Sequence, residues 1–226
     1  MTSRFLIAGL AAAALLACTR TAESATPAAA SAALGADSMP VQFDTALLRK
    51  ADLGRITGTA ATTLMVLEIS DFQCPYCKVF HDSTYAALRA AYIDNGKARM
   101  AYVNMPLRIH PNAWPAAEAA MCASAQGKFW QMHDSLFNAQ RRWESIARPD
   151  TMFSRFAGTL ALDVPGYDRC VSTHATRPLI ASDAERSNKA GINGTPAFII
   201  GDSVLSGAYP MSEFRRILDA VLAARR

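Results

Sequence analysis

The sequence predicts an α/β domain made of a βαβ half and a ββα half, with an all-helical insertion between them at about 107–176. Three observations predict it. Two short apolar runs, 63–69 and 98–104, flank one stretch of helical periodicity. After Pro106 the pattern stays helical for roughly 80 residues with no strand-like alternation. Residues 197–200 and 203–206 then flank Gly201-Asp202, a two-residue hairpin signal, and a final amphipathic stripe follows. Composition agrees: 226 residues at 51% hydrophobic and 19% charged can bury one sizeable core and are neither disordered nor collagen-like. The net charge of +4 is scattered, with no basic block to neutralise a row of phosphates, so nucleic acid is not an implied partner.

The N-terminus reads as an address. Residues 1–4 carry one positive charge and 5–17 form an apolar run of 13 residues, too short to span a bilayer, ending in Leu15-Leu16-Ala17-Cys18. Leu-x-Ala-Cys resembles the lipobox of bacterial lipoprotein precursors, which implies a signal peptide at 1–17 and lipidation of Cys18. The other reading is an ordinary cleaved signal. Residues 19–39 hold eight Ala and six Ser or Thr with no packing period, so 18–39 reads as a lipidated Cys and flexible linker ahead of a domain at 40–226. The expected location is the bacterial cell envelope, facing the periplasm; Thr19 in place of an Asp slightly favours the outer membrane.

Setting Cys18 aside, the five cysteines leave Cys74, Cys77, Cys122 and Cys170. Cys74 and Cys77 form a C-x-x-C, so Cys122 and Cys170 pair by elimination in an oxidising compartment, or stay unpaired as small buried residues.

Each element has its own signal. The run 63–69 (T-L-M-V-L-E-I) reads as a strand buried on both faces, broken by one carboxylate, Glu68. It leads into Cys74, where Phe80, Ala87, Leu88, Ala91 and Tyr92 fall at helical spacing until Asn95-Gly96. The run 98–104 is the second buried strand, completing a βαβ unit. Helices are expected at 113–126, 129–137, 149–160, 165–174 and 177–190, with Phe129, Trp130, Met132, Leu136 and Phe137 as insertion core. Phe214, Ile217, Leu218, Val221 and Leu222 mark the last helix.

Four segments carry a family resemblance: S-D-F-Q-C-P-Y-C-K at 70–78, P-L-R-I-H-P at 106–111, A-A-E-A-A-M-C-A at 116–123 and G-I-N-G-T-P-A-F at 191–198. Together they resemble the DsbA-like thiol-disulfide oxidoreductases, a thioredoxin fold with a helical insertion. The resemblance implies a cis Thr195-Pro196 peptide facing the cysteines, where Pro196 keeps metal from the thiols and the Thr195 backbone pairs with extended substrate. It also implies a buried acid at Glu68 that trades a proton with Cys77; the other readings are a structural hydrogen bond or a solvent-facing register.

The chemistry follows from the residues. A thiol reacts as the thiolate, and Cys74 at a helix start faces free N–H groups and the positive end of the helix dipole. Cys77, about one turn on, is the resolving partner. Pro75 suits the first turn, and Tyr76 adds no charge. Phe72, Tyr76 and Pro106 are expected to line an apolar surface where unfolded chains rest. His81, His110, His133 and His174 read as surface or capping residues with no metal-ligand spacing.

The expected activity is protein dithiol-disulfide exchange without a cofactor. Its partners would be exported proteins with thiols or disulfides, a membrane redox partner that resets the site, and the membrane itself through the lipid. The alternative is soft-metal binding, with the two thiolates holding Cu(I) linearly.

Overall fold

The computed structural model describes residues 44–225. The signal, linker and Cys18 lie outside them. Within these residues the chain forms a sheet of order β1-β3-β2-β4-β5, with β1 at Ile56–Thr57, β2 at Met65–Ser70, β3 at Arg99–Asn104, β4 at Ala197–Ile200 and β5 at Ser203–Ser206. β2 is central: parallel to β3 and antiparallel to β4, with Glu68 opposite Tyr102 on one side and Phe198 on the other. Alternation along β2 puts Val66, Glu68 and Ser70 on one face and Leu67 and Ile69 on the opposite one.

Before the sheet comes α1 (Thr45–Gly54), capped by Asp44, whose side chain accepts from the Leu47 N–H. It and the two-residue β1, paired antiparallel to β3, are elements that periodicity did not reveal, because neither carries a long enough pattern. The first helix of the core, α2, runs over 75–93 and includes π-helical turns at His81–Tyr85 and Arg89–Ile93. The insertion follows β3 as α3 (Ala113–Ser124), α4 (Phe129–Asn138), α5 (Gln140–Trp143), α6 (Asp150–Thr159) and α7 (Val164–Ser172). Then α8 (Arg177–Lys189) leads back to β4, and α9 (Met211–Ala224) closes the described chain. This is a thioredoxin-type core carrying an inserted helical subdomain.

Two apolar clusters hold these parts. One joins Val66, Phe80, Leu88, Met100, Phe198, Phe214 and Leu218, packing α2 and α9 onto the sheet. The other joins Phe72, Cys77 and Tyr102 to Met132, Leu136, Phe137 and Trp143, so the insertion and the cysteine-bearing turn share one core. Inside the insertion, Cys122 on α3 and Cys170 on α7 are joined by a disulfide, their Cα atoms 5.8 Å apart. A crosslink spanning 48 residues restricts the unfolded chain by about 4 kcal/mol in the chain-entropy account. Replacing both cysteines with alanine should lower unfolding stability by that order while leaving Cys74 reactivity in place; denaturant unfolding followed by circular dichroism measures it.

Candidate active site

The turn from β2 into α2 is fastened from several directions. The Cys74 N–H donates to the Asp71 carbonyl at 3.0 Å. Asp71, itself buried, accepts from the Gln73 N–H, the Leu107 N–H and His110 Nδ1 at 2.8, 2.9 and 2.7 Å. From α5, Gln140 Nε2 donates to the carbonyls of Phe72 and Cys74 at 2.7 and 3.0 Å. Gln73 donates to the Glu144 carbonyl and accepts from the Asn112 N–H. The insertion thus grips the backbone on which the cysteines stand.

Cys74 is the N-cap of α2 and Pro75 occupies its first turn. The Cys74 thiol is pulled down to about 6, chiefly by the hydrogen bond from the Cys77 thiol. Burial opposes that pull, while Thr195 and the backbone N–H groups of Cys77 and Tyr76 add to it. Cys77 goes the other way. It is 0% exposed, and burial first, then the neighbouring Cys74, push its thiol well above the ordinary value. The two sulfurs are unbridged in this structure.

Opposite them, the Thr195-Pro196 peptide is cis, and the Thr195 carbonyl oxygen lies 3.4 Å from Cys74 Sγ. A groove of about 430 Å³ runs beside it, lined by Gly194, Thr195, Pro196, Val204 and Gly207 among others. Glu68 is 0% exposed, and neither carboxylate oxygen has a hydrogen-bond partner. Burial pushes its carboxyl up to about 8.

A family model described as Thioredoxin matches residues 50–220. The chain is a member of the thioredoxin family. Among curated relatives, the Na(+)/H(+) antiporter NhaA 3 of Salinispora tropica is 30% identical over 176 residues, 77% of this chain and 26% of its own length. The NhaA antiporter of Herminiimonas arsenicoxydans is 27% identical over 169 residues, again 26% of that protein. The chain therefore spans about a quarter of the length of these relatives. Among solved structures, BdbD from Bacillus subtilis superposes with a TM-score of 0.68 at 21% identity, over 76% of this chain and 94% of that one. Wolbachia pipientis alpha-DsbA1 gives 0.67 at 21% identity, over 75% and 91%. These likenesses are of fold.

Several expectations need correction in this thioredoxin-family site. Tyr76 is 67% exposed, and Pro106 is half-buried, but Phe72 is 1% exposed and stacked on Tyr102 at 4.7 Å, so it belongs to the core and not to an apolar surface. The exposed apolar side chains on this stretch are Tyr76, Val79 and Ile109. His81 does not sit on the exposed side of α2: its side chain is 10% exposed and packs inward. His133 is no surface residue either, at 1% exposure. Its place four residues after Phe129 and four before Phe137 set it on the buried stripe, a signal the sequence carried. His110 is tied to Asp71, and His174 to Glu118 at 3.0 Å.

Among the described residues, His81, His133 and Asp134 are close enough to share a metal ion, their ligand atoms lying within 4.8 Å of one another. Both imidazoles already contact Asp134 Oδ1, at 3.5 and 2.8 Å. No helix among the described residues is long and apolar enough to cross a membrane.

Proposed function

We propose that this protein is a dithiol-disulfide oxidoreductase of the bacterial cell envelope, held to a membrane through Cys18 and exchanging disulfides with exported proteins. The observation that carries the reading is the opposite bias of two neighbouring sulfurs: Cys74 favoured as thiolate at about 6, Cys77 held as a thiol by its burial and by Cys74.

In the oxidising direction a substrate thiolate attacks Cys74 Sγ of the Cys74-Cys77 disulfide. The S–S bond breaks, and Cys77 leaves as a thiol with a proton from Glu68. A second substrate thiolate then attacks the substrate's own sulfur in the mixed disulfide and releases Cys74 as its stable thiolate. The substrate loses two electrons and the protein gains them; a membrane redox partner takes them away. Reduction runs through the same steps in reverse. Thr195 and Pro196 border the groove that would receive an extended substrate segment, and Pro75 and the exposed Tyr76 would add contacts from the start of α2.

The test is direct. The ultraviolet absorbance of the Cys74 thiolate should titrate with a midpoint of about 6, and the Cys74-Cys77 pair should equilibrate with glutathione at one defined potential. A midpoint of about 8.5, that of free cysteine, removes the reading.

Glu68 supplies a second check with a defined sign. Because its carboxyl lies at about 8, it is mostly protonated at neutral pH and donates as the disulfide opens. Above that value it is a carboxylate that draws the proton from Cys77 as the disulfide closes. Glu68→Gln should slow resolution of a mixed disulfide by about a hundredfold, the low end for a positioned acid-base group, and flatten its pH dependence. A profile identical to the parent's would count against the role. Lipidation of Cys18 predicts a mature N-terminus at that residue carrying fatty acyl mass, readable by mass spectrometry of the membrane fraction.

A further inference from the structure

No partner meets the Glu68 carboxylate in good hydrogen-bond geometry, so beyond its burial and the neighbouring Ser70 hydroxyl its charge answers to fields acting through space. His81 stands one helical turn after Cys77, its N–H bonded to the Cys77 carbonyl, and therefore shares that residue's inward face. The imidazole is packed between Tyr85 at 5.5 Å and Phe137 at 5.2 Å. Its Nδ1 lies 3.0 Å from Asp82 Oδ1 and its Nε2 3.5 Å from Asp134 Oδ1.

A neutral imidazole has a single N–H and can donate to one of two acceptors. Carboxylates at both nitrogens suit the imidazolium alone, which donates twice. Asp134 is in turn shared, accepting from His133 Nδ1 at 2.8 Å. The His133 ring lies 5.5 Å from that of His81 and 5.7 Å from that of Tyr102, and Tyr102 faces Glu68 across the strand pair. Glu68, Tyr102, His133 and His81 thus form one continuous patch between the sheet and two helices.

We propose that His81, clamped between Asp82 and Asp134, is the positioning residue that sets how readily Glu68 gives up its proton during thiol exchange. The inference rests on the acid-base reading of Glu68. Burial favours the neutral acid; the Ser70 hydroxyl and then the His81 charge pull toward the carboxylate, and Asp134 opposes them. Burial works against the His81 charge, but the hydrogen bonds its ring donates to Asp134 and Asp82, together with their negative charges, raise its pKa above the ordinary histidine value. The other groups facing the patch are Cys77 and Tyr85 from α2, His133 from α4, Ser70 from β2 and Tyr102 from β3. Lys78 is engaged with Asp82, while Arg89 pairs with Asp94 and also donates to the Tyr85 hydroxyl at the edge of the patch. Removal of the His81 charge leaves Glu68 protonated to higher pH, so the step that needs its carboxylate slows near neutrality.

The experiment measures the pH dependence of mixed-disulfide resolution in the full chain, with His81→Gln placed in the parent and in a Glu68→Gln background. In the parent background the midpoint should move up by about half a unit to one unit, the effect of removing one charge from partly buried surroundings. In the Glu68→Gln background it should not move. An unmoved midpoint in His81→Gln with a native circular dichroism spectrum overturns this inference and leaves the Glu68 reading standing. A Glu68→Gln profile like the parent's overturns the reading beneath it. Should His81→Gln fail to fold, ring-carbon nuclear magnetic resonance of His81 in the unmodified chain decides: the imidazole should stay charged through neutral pH, and a midpoint below that of free histidine, about 6.5, overturns the proposal.

Discussion

Cys77→Ser is expected to turn the protein into a covalent trap. Offered a peptide disulfide, the variant should collect a mixed disulfide on Cys74 and stop there, with turnover reduced by roughly three orders of magnitude or more, as for loss of other members of a covalent-catalysis set. Cys74→Ser should lose as much turnover and collect no adduct. The asymmetry has a physical origin. Cys74 caps the start of a helix and its thiol is pulled down to about 6, whereas Cys77 is 0% exposed and its thiol is pushed up by burial. Of the two, only Cys74 keeps any exposure, 3%, with its sulfur 3.4 Å from the Thr195 carbonyl oxygen. Mass spectrometry of the thiol-blocked, unreduced protein reads the result. Equal trapping by both variants would mean that either sulfur can meet substrate, and the assignment of roles would fall.

Asp183→Ala is expected to be the most damaging single change away from the cysteines. Asp183 is 0% exposed and receives both guanidinium nitrogens of the nearly buried Arg55, the backbone and side-chain N–H of Asn104, and Arg186. Truncation leaves Arg55 with Asp52, which is half-exposed, and leaves two Asn104 donors without their acceptor. Breaking a buried pair by removing one partner costs about 3–5 kcal/mol. Urea unfolding should show the loss as a lower midpoint with an unchanged slope. Replacing both members together, as Arg55→Met with Asp183→Leu, should recover much of it, because no uncompensated charge remains. A single-variant loss under about 1 kcal/mol would mean that Asp52 and the Tyr102 carbonyl together can hold Arg55.

These two predictions draw on different kinds of legibility. The cysteine pair, the acid six residues before it and the Gly-Thr-Pro ahead of the hairpin could be placed on elements from spacing alone. β4 and β5 fall at 197–200 and 203–206 as read from the turn signal. Arg55 and Asp183 offered no such pattern. They are 128 residues apart, each an ordinary charged residue in its own neighbourhood. The same holds for Gln140, whose two carbonyl acceptors lie 66 and 68 residues upstream. His81 and His133 fall between the two cases. Each has helical spacing that puts it on a buried face, four residues from Cys77 and from Phe129, yet nothing in that spacing says that Asp134 stands between them.

Local order was written in the chain: which runs make strands, where helices start and stop, and that Cys74 caps one of them. Those features depend on neighbours within a turn or two, where backbone hydrogen bonds and side-chain periodicity act. Folding decided which distant groups share a buried space. The burial of Glu68 and Cys77, His81 between two carboxylates and Asp183 paired with Arg55 are all products of that packing. Their charges are governed by burial and by partners many residues away, and low-dielectric surroundings exist only once the helices close over the sheet.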